Sequence, residues 1–377
     1  MTSCMPEASP GLEAFLETIR VDDERVYKLS NEFSSTFTRL AAESMDQFLP
    51  TPITELILLP FSNNKKKNLG RKLHPSKRPK IPIPCVDNNS HAVTNGNHAS
   101  DSEVKIAVNT EWSINGSAAA MRAVRFINHW DEKLSNSVEF PGFQPLEYMT
   151  AGRYLGELGR IMLVDYLTRV LQVDERTIPH KLLKKFEPHN TTFLSHYRPG
   201  QDRTLLDMLE AEFPTGNGGG TDGIGPGHAN GLSAEHASSP ASFQWTEEIA
   251  VALYHIAKAI ETRAAAIIAA AIIGLLDCAD ELPLPAQHAR VNGHVSAAQP
   301  LNTKLELVVG YTGGCITNFQ DYLVDCQDFL DKLVARRYGS ADASPVRVVL
   351  SPCHDGGIKG AGILVPASLA SQGLLQI

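Results

Sequence analysis

A mixed α/β fold is predicted by three features of the 377-residue sequence. Short apolar segments that read as strands occur at Val104 to Val108, where apolar residues alternate, and at Lys304 to Tyr311 and Val346 to Ser351. Alternation is the period-two pattern of a half-buried strand. Other segments repeat apolar residues at helical spacing, most clearly Met149 to Leu171, where Leu155, Leu158, Met162, Tyr166 and Val170 form one stripe. Strands and helices intermix after residue 103, as they do in α/β architectures.

The elements follow in order. Leu12 to Phe48 is helical in pattern, with Leu12, Phe15, Leu16 and Ile19, then Val26, Leu29, Phe33 and Phe37. Val21-Asp22-Asp23-Glu24 breaks it, with Asp22 or Asp23 capping the second part. Leu49-Pro50-Thr51-Pro52 stops it, because proline cannot continue the hydrogen-bond ladder. Asn63 to Lys80 is strongly basic, and Asp87 to Ser102 is mostly polar. Such composition buries too little apolar surface to offset chain entropy, and predicts a disordered linker over 57–103. Thr215 to Ser242, rich in Gly, Ser, Ala and Pro, predicts a disordered insert over 215–242. A long helix is expected from Trp245 to Leu276, capped by Gln244 or Ser242, and another over Thr317 to Arg337. Glycines at 356, 357, 360 and 362 lead into a last apolar stretch, Ile363 to Leu369.

Composition narrows the function classes. Apolar residues make up 43% and charged residues 20%, the balance of a globular protein. A net charge of −8 argues against direct nucleic-acid binding. The six cysteines lie far apart with no close pair, so neither a zinc ribbon nor a disulfide framework is expected. No secretory leader is expected at Met1 to Pro10, and the apolar run Ala264 to Leu276 is too short to span a bilayer. A cytoplasmic protein is expected, and the basic run over 65–80 has the composition of a nuclear import signal. Gly216 to Gly220 is followed by no phosphate-binding lysine, so it is not a P-loop.

Candidate chemistry centres on two carboxylates, Glu111 in Asn109-Thr110-Glu111-Trp112 and Glu147 in Phe143-Gln144-Pro145-Leu146-Glu147. An ionised carboxylate accepts several directed hydrogen bonds, which suits it to the hydroxyls of a sugar. Spacing alone says little among 42 acidic residues. The surrounding wording says more. Asn109 to Trp112 and the run Pro141 to Leu158 are followed in order by Phe186 to Ser195 and by Thr262-Arg263-Ala264-Ala265. Val309-Gly310-Tyr311 to Phe319 and Asp355-Gly356-Gly357-Ile358-Lys359-Gly360-Ala361 complete the series. These six segments, in this order, resemble the large C-terminal lobe of the hexokinase family. The resemblance covers about 104–377 without the insert, and again 10–56, whose end Gln47-Phe48-Leu49-Pro50-Thr51 is similar to the family's lead-in. The wording from Thr110 to Gly116 is similar to atypical hexokinase-like proteins of filamentous fungi.

The resemblance implies an actin-like (ribonuclease H-like) ATPase lobe, incomplete in its sheet, with N-terminal helices over 1–56, the linker over 57–103 and the lobe over 104–377. It implies descent from an ATP- and Mg²⁺-dependent hexose 6-phosphotransferase. Glu111 and Glu147 would hold a hexose, while Arg153, Thr191, Ser195 and Gly310 would lie near ATP. Between 56 and 104 the family carries a small lobe with the phosphate-cradling glycine turn and the catalytic aspartate; here the basic linker stands instead, so no catalytic residue is assigned. Neither Asp-x-Gly-Gly-Thr nor Gly-Thr-Gly-Thr-Asn occurs in the chain. Ser113, Tyr148, Val309, Tyr311 and Ile358 also depart from the family wording. Phosphoryl transfer depends on a positioned base and neutralised phosphates. The expectation is therefore a catalytically defective relative with a regulatory or sugar-sensing role and a protein partner. The alternative is an active hexose or N-acetylglucosamine kinase feeding sugar phosphate metabolism.

Overall fold

A computed structural model describes residues 6–46, 117–186, 190–199, 202–215, 243–285 and 304–354, with four single residues between 358 and 365. The expected strand at Val104 to Val108, the linker, the insert and Glu111 lie outside the described residues. So do the Asp355 turn and nearly all of Ile363 to Leu369. The helices are α1 (Pro10–Leu16), α2 (Asp23–Asp46), α3 (Ser117–Ala123), α4 (His129–Ser135), α5 (Pro145–Thr150) and α6 (Gly152–Asp165). A π-helical turn, Tyr166–Val170, extends α6, and a 3₁₀ turn follows at Glu175–Thr177. Then come α7 (His180–Leu183), α8 (Asn190–His196), α9 (Leu205–Glu212) and α10 (Glu247–Cys278). Strand β1 (Leu305–Tyr311), α11 (Gly314–Asn318), α12 (Tyr322–Tyr338) and β2 (Val346–Pro352) complete the order. The α/β class holds, with helix predominating and a two-stranded sheet among the described residues.

The chain divides into two compact units. The first holds residues up to Val21, Phe126–Ala265 and Gly314–Leu323. Ser9 caps α1 by accepting from the Leu12 amide at 3.3 Å, and Pro10 opens the helix where its missing N–H costs nothing. Phe15 packs on Trp130 (4.8 Å between ring centroids) and Tyr166 (5.3 Å), tying α1 to α4 and to the π turn. Leu155, Leu158, Met162 and Tyr166 of the stripe expected over Met149 to Leu171 are buried, whereas Val170 is exposed, and the helix is not continuous. Ala151 is extended (φ −92°, ψ 141°), so α5 ends and α6 begins there. Both pieces are largely buried, α6 on every side from Tyr154 to Leu163, so the apolar pattern runs through the break. The expected cap of α10 is also corrected: the Thr246 hydroxyl accepts from the Ile249 amide at 3.3 Å.

In the second unit (Asp22–Arg125, Ala266–Gly313, Val324–Ile377) Asp22 caps α2, accepting from the Arg25 amide at 2.7 Å. Leu29 and Phe33 of α2 are fully buried. The strands pair in parallel from Leu305↔Val346 to Tyr311↔Pro352, with α12 as the crossover. Gln327 fastens α12 to β2, donating to Val348 O and accepting from Leu350 N, both at 2.9 Å. Leu305 and Val308 of β1 and Val324 of α12 are more than half exposed. The helix expected over Thr317 to Arg337 is interrupted at Phe319–Asp321, where Gln320 has a positive φ.

The full length of α10 changes one sequence expectation. Its 32 residues are long and apolar enough to cross a bilayer, whereas the 13-residue run alone was too short. Most of the helix is buried inside the protein, however, and it carries the charged pair Glu261 and Arg263 at its centre. It serves as a core helix.

Candidate functional site

Four of the residues assigned to ligands lie in the first unit around the α5–α6 break. Glu147 sits in the first turn of α5 and is half-buried. Gly142 (φ 74°) makes the sharp turn ahead of that helix, and its amide donates to the Ser135 hydroxyl at 2.9 Å. Tyr148 donates its hydroxyl to Phe140 O at 2.6 Å and packs its ring against Tyr154 at 4.9 Å. Burial, then the Glu147 charge, raises the Tyr154 phenol above its usual range, while Arg153 pulls the other way. Tyr148 and Glu139 add smaller upward pushes. Arg153 is exposed, with its guanidinium 5.7 Å from the centre of the Tyr154 ring. A carboxylate, a guanidinium and two phenols thus converge on one face.

The break itself is held by groups from three other elements. Ending α5 frees the Thr150 carbonyl, which accepts from the Tyr322 hydroxyl (3.2 Å) and more weakly from Cys315 Sγ (3.9 Å). Gly152 lies so close to Cys315 and Thr191 that an added Cβ would meet the Cys315 Cβ at 3.2 Å and the Thr191 methyl at 3.6 Å. The Thr191 hydroxyl donates to Gly152 O and accepts from Gly156 N at 3.1 Å. Ser195 is buried and donates to Thr192 O at 2.8 Å. Both hydroxyls therefore have protein partners.

The segment leading to Thr191 is anchored from below. Glu157 is buried and holds Arg160 in a two-pronged pair at 2.9 and 2.6 Å. The same carboxylate accepts from the amide of Phe186 at 2.9 Å. Phe186 has a positive φ of 52°, a conformation that non-glycine residues rarely adopt, and this bond helps to hold it there. Gly310 lies in β1 of the second unit, exposed, where an added Cβ would meet the Cys353 Cβ at 3.6 Å. Sequence reasoning missed Cys315 and the role of Tyr154. Both fall inside segments that carry the family wording, so proximity of those segments was the available signal.

Burial, with the Glu261 charge adding to it, pushes the Cys315 thiol up to about 11. The raised value keeps it a neutral donor at physiological pH. At pH 8 its thiolate fraction is about a hundredth of that of an unperturbed thiol, because about 11 lies two units above the ordinary 9.0. Peptide mapping after iodoacetamide treatment is expected to find exposed Cys353 alkylated well before Cys315, and the difference to vanish in urea. Equal labelling in the folded protein would contradict the buried placement. Among the described residues no cluster of His, Cys, Asp and Glu is arranged to hold a metal ion.

Comparison with known proteins agrees with this wording. A family model described as hexokinase matches residues 84–367. Hexokinase-1 of Mus musculus is 26% identical over 154 residues, 40% of this chain and 14% of its own length. Hexokinase-1 of Homo sapiens is 25% identical over 154 residues, covering 40% of this chain and 15% of its own. The aligned part is thus a small share of these relatives. A hexokinase from Schistosoma mansoni, solved in complex with glucose, superposes with a TM-score of 0.47 at 20% identity, over 71% of this chain and 48% of that one. Another hexokinase crystal structure gives a TM-score of 0.40 at 18% identity, over 64% and 41%. With the family model matching well over half of its length, the chain belongs to the hexokinase family.

Proposed function

We propose that this chain binds a hexose through Glu147 and Glu111 and has lost efficient phosphoryl transfer, acting as a regulatory or sugar-sensing member of its family. The observation that carries the reading is the state of Thr191 and Ser195. The two hydroxyls that the family resemblance turns toward nucleotide both donate to backbone carbonyls of this protein. Nucleotide would have to displace those bonds. The loss of the phosphate turn and catalytic aspartate from 57–103 points the same way. ATP with Mg²⁺ would supply the phosphoryl group in an active relative; in this chain Arg153 is an exposed cation against the Tyr154 ring. The basic run over 65–80 would serve nuclear entry, and regulation would require a protein partner.

Two measurements on the full chain test this. A coupled ADP-release assay with glucose, fructose, mannose and N-acetylglucosamine is expected to give turnover far below about 1 s⁻¹, the low end of the ordinary enzyme range. Turnover above that would establish the alternative, an active hexose or N-acetylglucosamine kinase. Calorimetric titration with glucose is expected to show binding that Glu147→Gln weakens by about ten- to a hundredfold, the worth of a hydrogen bond to a charged group. Glucose affinity unmoved by that substitution would remove Glu147 from the site.

A further inference from the structure

Next to Glu147 the chain leaves two large rings in solvent. Phe140 is 63% exposed and Phe143 is 43% exposed, with ring centroids 6.3 Å apart and planes at 62°. Exposed phenyl rings in a pair are uncommon on a surface with no use for them. The turn that carries them is also fixed. Phe143 N donates to Phe140 O at 3.2 Å, Gly142 N donates to the Ser135 hydroxyl, and the Tyr148 hydroxyl donates to Phe140 O. Holding two apolar rings rigidly in water has no stability benefit of its own.

Their placement relative to the carboxylate is set by the helix. Gln144 is the residue before α5, so Phe143 stands just ahead of the helix start and Glu147 in its first turn. The Tyr148 hydroxyl on Phe140 O leads directly to the Tyr148–Tyr154 ring contact. The phenol of Tyr154 in turn feels the charges of Glu147, Arg153 and Glu139, the neighbour of Phe140. The ring pair therefore sits on the turn that leads straight into the helix end carrying Glu147.

From this we infer that Phe140 and Phe143 form a stacking platform for the C–H face of a pyranose whose hydroxyls are held by Glu147. A pyranose with equatorial hydroxyls has polar edges and apolar faces. The polar edge suits a carboxylate, and the apolar face gains from leaving water against an aromatic ring. The inference rests on the hexose-binding reading above. It adds the residues that select a ring-closed, equatorially substituted sugar over other polyols.

The test uses the full chain with glucose as the probe. Wild type and the double variant Phe140→Ser/Phe143→Ser are compared by calorimetry and by saturation-transfer NMR with irradiation of the aromatic protons. Both side chains are exposed, so the variant is expected to keep the wild-type melting curve. Glucose Kd is expected to rise about three- to tenfold, the range of an aromatic contact. Saturation of the sugar's ring protons is expected to fall with it. The variant Phe140→Tyr/Phe143→Tyr keeps the rings and should restore both signals. Glucose that binds wild type and the serine variant equally, with equal saturation, overturns the platform while leaving the hexose reading intact. Absence of any hexose binding to wild type overturns both. Sedimentation that shows a wild-type dimer made monomeric by the serine substitutions, with glucose affinity unchanged, would assign the rings to a second copy of the chain instead.

Discussion

Asp131→Ala is expected to destabilise the protein by about 3–5 kcal/mol, enough to unfold the first compact unit of a marginally stable chain. Arg263, at the centre of α10, is 1% exposed, and Asp131 is 4% exposed. The guanidinium donates to both carboxylate oxygens at 2.7 and 2.8 Å and to Phe126 O at 3.3 Å. Removing the carboxylate leaves a buried cation without its counter-charge. It also removes a cap, since Asp131 Oδ2 accepts from Asn128 N at 2.9 Å while the Asn128 side chain accepts from Asp131 N. The cost of a stranded charge exceeds the net worth of the pair, so Asp131→Leu combined with Arg263→Met is expected to recover much of the loss. Urea unfolding of the three proteins measures this. Equal stability of wild type and Asp131→Ala would contradict the buried pair.

Gly274→Ala sets two effects of opposite sign against each other. Alanine gains about 1 kcal/mol over glycine in helix propensity. At this position in α10, however, an added Cβ would meet the Phe33 Cβ at 2.6 Å, the Ser34 amide nitrogen at 2.9 Å and the Phe33 carbonyl carbon at 3.0 Å. Two of those atoms are backbone of α2 and cannot rotate aside. Overpacking of this kind costs about 1–3 kcal/mol and more where backbone must move, so the net change is destabilising, and Gly274→Val should be worse. The Ser34 hydroxyl bond to Asp277 and the Arg337–Asp277 pair at 2.6 Å flank the contact and would be displaced with it. Thermal melting checks the order. A melting temperature raised by alanine would mean that propensity wins and the helices are not this close.

The residues differ in how far they could be read from sequence. Strands β1 and β2 and the long helix α10 were legible, because each has a pattern longer than one turn and a residue type that suits it. The stripe over Met149 to Leu171 was legible as a face but not as two helices. Its interruption at Ala151 depends on Tyr322 and Cys315, far along the chain, accepting the role of partners to Thr150. Arg263 was visible as part of the family wording, whereas Asp131 was not. Its only local signature is the Asn128-x-x-Asp131 cap, which predicts a helix start and says nothing of a partner 132 residues away. Glu147 was found by wording, and its helix confirms only that it is half-buried at a helix start. Phe143 lies inside the family wording and Phe140 just ahead of it, but nothing in either position foretells that the rings are exposed, which is a tertiary fact.

The contact between α2 and the end of α10 also has a meaning in time. Ser34 and Asp277 are 243 residues apart. At a synthesis rate of about 5–20 residues per second, the ribosome needs roughly 12–50 s to make the chain between them. For that interval Phe33 of α2 waits without the α10 segment around Gly274 that packs against it. A nascent chain with such a delay is an expected client of chaperones that shield apolar helices. Gly274, by admitting α2 so closely, is what finally ends the wait.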